Sequence, residues 1–131
     1  MKWYILIHGL LLMLPPKGVI TTFNQMFPKA NEIKWTSGTK QTFTASFVSN
    51  NEKQSATFDV KGNWIDTRKK VAYDLLPPRI KNTFVRLHPG KTVTNALMIF
   101  NKDHNTLFNL EWKDANKPVM KVYNLDGVEL K

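Results

Sequence analysis

Ser55–Ile65, SATFDVKGNWI, returns near the C-terminus as Met120–Leu130, MKVYNLDGVEL, and this echo decides the fold. Phe58 answers to Tyr123, Asp59 to Asn124, Val60 to Leu125, Gly62 to Gly127 and Ile65 to Leu130, all at a spacing of 65. Each copy has Asp or Asn at the first position of a tight turn and Gly at the fourth. That is the chemistry of a type I turn closed by a left-handed Gly, a three-residue hairpin connection with a bulge. Gly62 and Gly127 are therefore expected at positive φ.

A second echo lies upstream. Leu14-Pro15-Pro16 is followed by Val19, Phe23, Met26 and Phe27 at i, i+4, i+7 and i+8, then Pro28. Pro suits a helix start, the apolar spacing is one helical face, and the last Pro stops it. Leu76-Pro77-Pro78, then Ile80, Phe84, Leu87, His88 and Pro89, repeat this at an offset of 61. Between helix and hairpin each copy has room for strands. Glu32–Trp35, Thr42–Val48 (Phe43, Ala45, Phe47 on one face), the stretch through Ala56, Phe58 and Val60, and Trp64–Tyr73 serve the first copy. Thr92–Phe100, Thr106–Trp112 (Phe108, Leu110, Trp112 on one face) and Pro118–Leu125 serve the second, with turns at Asn50-Asn51, Asn101–Asn105 and Lys113–Lys117 and a short last strand. The fold class expected is α+β: two tandem helix-plus-antiparallel-strand repeats, residues 14–75 and 76–131, forming one curved antiparallel sheet with both helices on one face. Phe23, Phe27, Phe84 and Leu87 are expected to be buried beneath those helices.

Residues 1–13 belong to a short apolar stretch behind Lys2, the pattern of a secretory signal and too short to span a bilayer. The competing reading is an N-terminal strand or helix packed on the domain. Zero Cys excludes a disulfide framework, a thiolate metal site and a catalytic Cys. The hydrophobic fraction is 42%, which is ample for a packed interior. The formal net charge is +9. Lys supplies most of the 19 basic residues, however, and is spread along the chain with no recognised nucleic-acid motif, so no nucleic acid is expected as partner.

The pattern LPP, then F-x-x-x-F-P-x-A (Phe23, Phe27, Pro28, Ala30), Trp35, and F-D-x-x-G-x-W (Phe58, Asp59, Gly62, Trp64) resembles the PepSY-like family of bacterial periplasmic proteins, whose fold is similar to that of the beta-lactamase inhibitor proteins (BLIP). The resemblance covers about residues 14–131 and is weaker in the second copy, where His88 stands for the Phe before Pro and Glu129 for the Trp after Gly. It implies a periplasmic or secreted home, no enzymatic activity, and protein binding by the open sheet face.

The residues themselves offer little catalysis. His8, His88 and His104 are scattered, and there is no G-x-S-x-G, H-E-x-x-H or Gly-rich phosphate loop. No cofactor and no metal are expected. An enzyme would need a pocket holding His88 or His104 beside a carboxylate. Trp35, Trp64, Trp112, Tyr73 and Tyr123 read as partner anchors or, more plainly, as core. Arg68–Lys91 holds Arg68, Lys69, Lys70, Arg79, Lys81, Arg86 and Lys91 against Asp74 alone, and reads as an anionic-ligand surface or a solvated face. Assuming that Ile65 faces the helices, alternation puts Trp64, Arg68 and Lys70 on the open face as partner-binding residues. The function expected is a non-enzymatic exported module recognising an envelope protein or peptide; the alternative is a binder of an acidic polymer or anionic membrane surface through residues 68–91.

Overall fold

The structure, a computed structural model, describes residues 14–131; the expected leader at 1–13 lies outside the described residues. In chain order the elements are α1 (Lys17–Met26), β1 (Asn31–Ser37), β2 (Thr42–Ser49), β3 (Glu52–Asp59), β4 (Trp64–Lys70), α2 (Pro78–Leu87), β5 (Val93–Asn101), β6 (Thr106–Asp114), β7 (Lys117–Asn124) and β8 (Glu129–Leu130). The described residues make a mixed α/β arrangement: two helices and one open antiparallel sheet whose strand order follows the chain from β1 to β8. The chain divides into two compact units, one up to Thr67 and one from Arg68, each with its own core.

In the first unit α1 starts behind Pro16, whose carbonyl accepts the Val19 and Ile20 N–H groups, and closes with the Phe27 N–H on the Phe23 carbonyl before Pro28. Val19 and Phe23, one turn apart, are its buried residues. They meet Phe43, Ala45 and Phe47 of β2 and Ala56 and Phe58 of β3, held in register by the pairs Phe43↔Phe58 and Ala45↔Ala56. Asn50 and Asn51, at φ 54° and 64°, form the two-residue turn joining these strands. Positive φ at both positions matches the right-handed twist of the hairpin. At the next turn the Asp59 carboxylate accepts N–H bonds from Lys61 and Asn63, both at 2.9 Å, while the Gly62 N–H bonds the Asp59 carbonyl. These bonds hold the Asp59 carboxyl below its usual range, the Asn63 N–H having the largest effect. Gly62 sits at φ 90°, as the turn chemistry predicts.

The second unit repeats the local solutions. Pro78 lies in the first turn of α2, Ile80 and Phe84 are buried, and the His88 N–H closes the helix on the Phe84 carbonyl. Phe108, Leu110 and Trp112 of β6 pack with Ala96 of β5 and Tyr123 of β7, in the register Ala96↔Leu110 and Phe108↔Tyr123. Asn124 accepts from Asp126 and Val128 as Asp59 does from its own turn, and Gly127 is at φ 83°.

Four expectations need correction. The strand expected over Trp64–Tyr73 stops at Lys70, because Leu76 must dive into the second core and the chain coils through a single helical turn at Tyr73–Leu75 to deliver it. The turn expected over Lys113–Lys117 shrinks to Ala115 and Asn116, at φ 52° and 67°, so both flanking strands run further. Leu87 is not buried but 44% exposed, since His88 turns inward as the helix ends and stacks on Trp112 with ring centroids 4.5 Å apart. Phe27 in the equivalent place is half-buried against Phe47, at 4.6 Å. Finally, the face assigned to the residues after the hairpin glycines is inverted. Glu129, paired with Tyr123, turns toward the helix and reaches His88, so Leu130, paired with Val122, faces away. Trp64 likewise packs against the first core, and Ile65 belongs to neither core.

Candidate functional site

Three polar residues of the second unit come together. Phe27, Phe58 and Trp64 of the first unit are matched by His88, Tyr123 and Glu129, at the offsets 61, 65 and 65. In the first unit the three are aromatic and pack at one core. In the second, His88 Nε2 lies 2.6 Å from Glu129 Oε2, and the Tyr123 hydroxyl donates to the same oxygen at 2.5 Å. α2 supplies His88 at its C-terminal end, β7 supplies Tyr123, and β8 supplies Glu129, so the trio ties the helix end to the last strand. Burial alone would raise the Glu129 carboxyl, but the hydrogen bonds from Tyr123 and His88 and the charges of His88 and Lys121 prevail, and its pKa lies below the usual 4.5. The same burial, with the neighbouring carboxylate, pushes the Tyr123 hydroxyl well above its ordinary range.

This is the His-beside-carboxylate arrangement that an enzyme reading demands. Here both His88 Nε2 and the Tyr123 hydroxyl meet one and the same oxygen of Glu129. What the geometry performs is a closed polar clasp. A folded-state pKa below the unfolded one contributes stability that is complete above the unfolded value and is lost as the pH falls through the folded value. Glu129→Gln is therefore expected to cost about 1 kcal/mol at pH 7 and to flatten the loss of stability below about pH 4.5. Urea unfolding at pH 7 and at successively lower pH checks both; an unchanged acid slope would show that the clasp does not couple to folding.

The expected partner-binding residues lie in or beside β4. Arg68 and Lys70 are exposed. Trp64 is half-buried against the first core and its indole N–H donates to Thr67 at 2.9 Å. Residues three apart lie on opposite faces of a regular strand, so β4 does not alternate simply here. Of the other cations of residues 68–91, Lys91 binds Asp114 at 2.9 Å, and the Lys81 ammonium donates to the Asp74 carbonyl and lies over the Tyr73 ring. Trp112 and Tyr123 are core, and Trp35 and Tyr73 pack against the cores. His104 sits exposed in the Asn101–Asn105 turn at φ 64°. Among the described residues no group of three or more His, Cys, Asp or Glu could hold a metal.

A feature missed at the sequence level is the apolar second face of the second unit. Ala96, Phe108, Leu110 and Tyr123 point to the helix, so alternation turns Leu97, Ile99, Leu107 and Val122 the other way, and none of these four belongs to the helix-side core. Ile99 and Leu107 are directly paired, and Val122 lies across from Asn109, which in turn pairs with Leu97. In the first unit the corresponding face carries Thr44 and Thr57, hydroxyl to hydroxyl at 2.9 Å, with Ser46 and Ser55 paired beside them. The signal was present in Ala96–Phe100, ALMIF, which is apolar in both strand phases, the mark of a strand covered on both faces.

No family model and no curated protein matches the chain. Solved structures do. A DUF2874 family protein from Bacteroides ovatus superposes with a TM-score of 0.82 at 28% identity, covering 91% of this chain and 86% of that one. A protein from Bacteroides eggerthii, proposed to be periplasmic, gives 0.82 at 20% identity over 91% and 88% of the two chains. The periplasmic or secreted location expected from the sequence agrees with that description, and no helix among the described residues is long and apolar enough to cross a membrane. A BLIP-like protein from Bacteroides fragilis gives 0.77 at 20% identity over 91% and 85%; the fold of this chain is similar to all three, and is BLIP-like.

Proposed function

We propose that this chain is an exported, non-enzymatic binding module that holds a protein or peptide of the cell envelope against the sheet face turned away from the helix. The observation that carries this reading is the set Leu97, Leu107 and Val122, half-buried apolar side chains that share with the buried Ile99 the face opposite the helix-side core. Covering a half-exposed Leu or Val contributes on the order of 1 kcal/mol, so a patch of this kind anchors a partner where the hydroxyl-lined face of the first unit does not. Arg68 and Lys70 are exposed on β4, the strand beside β5. They favour a partner with acidic residues next to its apolar anchor; Trp64, which packs against the first core, is left out of this surface. We also read the chain as two tandem copies of one PepSY-like unit, the second of which exchanged an aromatic trio for a polar clasp.

The test is a charge reversal, Arg68→Glu with Lys70→Glu, in the folded protein. Capture of its envelope partner is expected to weaken at least tenfold; unchanged capture would remove these residues from the site. Binding to anionic vesicles that collapses steeply with added salt, with no protein captured, would instead support the acidic-polymer or membrane-surface reading.

A further inference from the structure

A slot of about 270 Å³ in the second unit is lined by Tyr73, Phe84, Lys91, Thr92 and Val93. Its apolar lining follows from the local folding. The helical turn at Tyr73–Leu75 that delivers Leu76 also sets Tyr73 against the core, and the Val71 N–H, bonded to the Ala96 carbonyl, ties this stretch to β5. Phe84 comes from the buried side of α2, and Val93 opens β5 as the partner of Trp112. Two aromatic rings and a branched aliphatic side chain thus meet at one place.

The polar part is Lys91. Its ammonium lies 2.9 Å from the Asp114 carboxylate, and the two side chains are 36% and 61% exposed. An ion pair this exposed holds its partners weakly, so the ammonium can accept a second carboxylate. A second ammonium stands close by, for Lys81 Nζ is 5.9 Å from the Tyr73 ring centroid. At the offset of 61 the first unit has Ala30 where the second has Lys91, and Ala30 packs against its core. The charge beside the aromatic lining is therefore a feature of the second unit. Pockets for drug-sized ligands measure roughly 300 to 1,000 Å³, so this slot suits a smaller molecule with one ring and one charged end.

We propose that the slot binds a small aromatic carboxylate, its ring against Tyr73, Phe84 and Val93 and its carboxylate on the Lys91 ammonium. Ring contacts with aromatic walls gain beyond the area they cover, and Lys81, with the net charge of +9 on the whole chain, adds to the attraction for an anion. The same chemistry is carried by a free aryl acid and by a peptide that ends in Phe, and the test separates the two. Tyr73, Phe84 and Val93 all belong to the helix-side core, so the slot is apart from the sheet face turned away from the helix, and its test is independent of that reading.

3-Phenylpropanoate is titrated into the isotope-labelled full chain at pH 7 and followed through the backbone amide shifts. Saturable binding is expected, with the largest shifts at Tyr73, Thr92 and Val93. Lys91→Met keeps the aliphatic stem and removes the charge, and is expected to weaken binding at least fivefold. Asp114→Asn frees the ammonium and is expected to tighten binding at least twofold, an opposite sign that a merely structural ion pair would not give. Both residues are exposed, so both variants are expected to fold. On the unaltered chain, 3-phenylpropan-1-ol, which has the ring without the charge, and acetate, which has the charge without the ring, should each bind at least fivefold more weakly. No saturation at millimolar ligand, shifts centred elsewhere, equal binding of the alcohol or of acetate, binding undiminished by Lys91→Met, or binding not tightened by Asp114→Asn would each overturn the proposal. Acetyl-Gly-Gly-Phe carries the same group as a chain end: binding tighter than that of 3-phenylpropanoate assigns the slot to a peptide C-terminus, and weaker binding assigns it to a free acid.

Discussion

Gly62→Val and Gly127→Val are each expected to destabilise the protein by roughly 3 to 5 kcal/mol, the sum of left-handed backbone strain and overpacking. Both glycines sit at positive φ, 90° for Gly62 and 83° for Gly127. A β-branched residue is strained there whatever the space. The space is also absent. A Cβ on Gly62 would come 2.8 Å from the Gly18 carbonyl oxygen in the first turn of α1, and a Cβ on Gly127 would come 2.8 Å from both the Cβ and the carbonyl oxygen of Arg79 in α2. In each unit the hairpin turn is thus docked on the backbone of its helix, and backbone cannot move aside as a flexible side chain can. Gly90 supplies the control: its φ is 80° but nothing lies within 4 Å of its added Cβ. Gly90→Val should therefore cost only the conformational part, about 1 to 2 kcal/mol. Urea unfolding of the three variants decides the matter. Equal losses at all three positions would mean that the turns do not bear on the helices.

Phe84→Ala is expected to cost about 3 to 5 kcal/mol. Phe84 is 1% exposed and stands edge-on to Trp112 with ring centroids 5.1 Å apart, the geometry in which aromatic pairs gain beyond area burial. His88 packs on the other two rings, at 5.5 Å from Phe84, so truncation opens a cavity and also loosens the residue that clasps Glu129. The second unit cannot close that gap cheaply, because Ile80, Leu110 and Tyr123 around it are fully buried and fixed by helix and sheet. A measured loss under about 1 kcal/mol, below the range for a large core truncation, would mean that α2 is not seated on β6.

The turns and helices were legible in the sequence because they depend on near neighbours. Asp59 and Asn124 gather the N–H groups of their own turns, Gly62 and Gly127 take the left-handed position, and Pro16, Pro28, Pro77 and Pro89 bracket the helices. Alternation likewise identified Phe43, Ala45 and Phe47, and Phe108, Leu110 and Trp112, as inward sets, since their opposite phases are polar or less apolar in β2 and β6. The same rule failed after the glycines. Trp64 beside Ile65 offers two apolar phases, and Glu129 beside Leu130 offers a polar phase that looks outward by composition; a period of two separates the faces without saying which is covered. Only the tertiary structure decided that Trp64 and Glu129 turn inward. Glu129 can do so because His88, from the far end of the second unit's helix, and Tyr123 meet its carboxylate there. A buried charge is tolerated when its hydrogen bonds are satisfied. The apolar outer face of β5 and β6 was likewise decided by pairing across the chain, for strand register and coverage are properties of neighbours in space rather than in sequence.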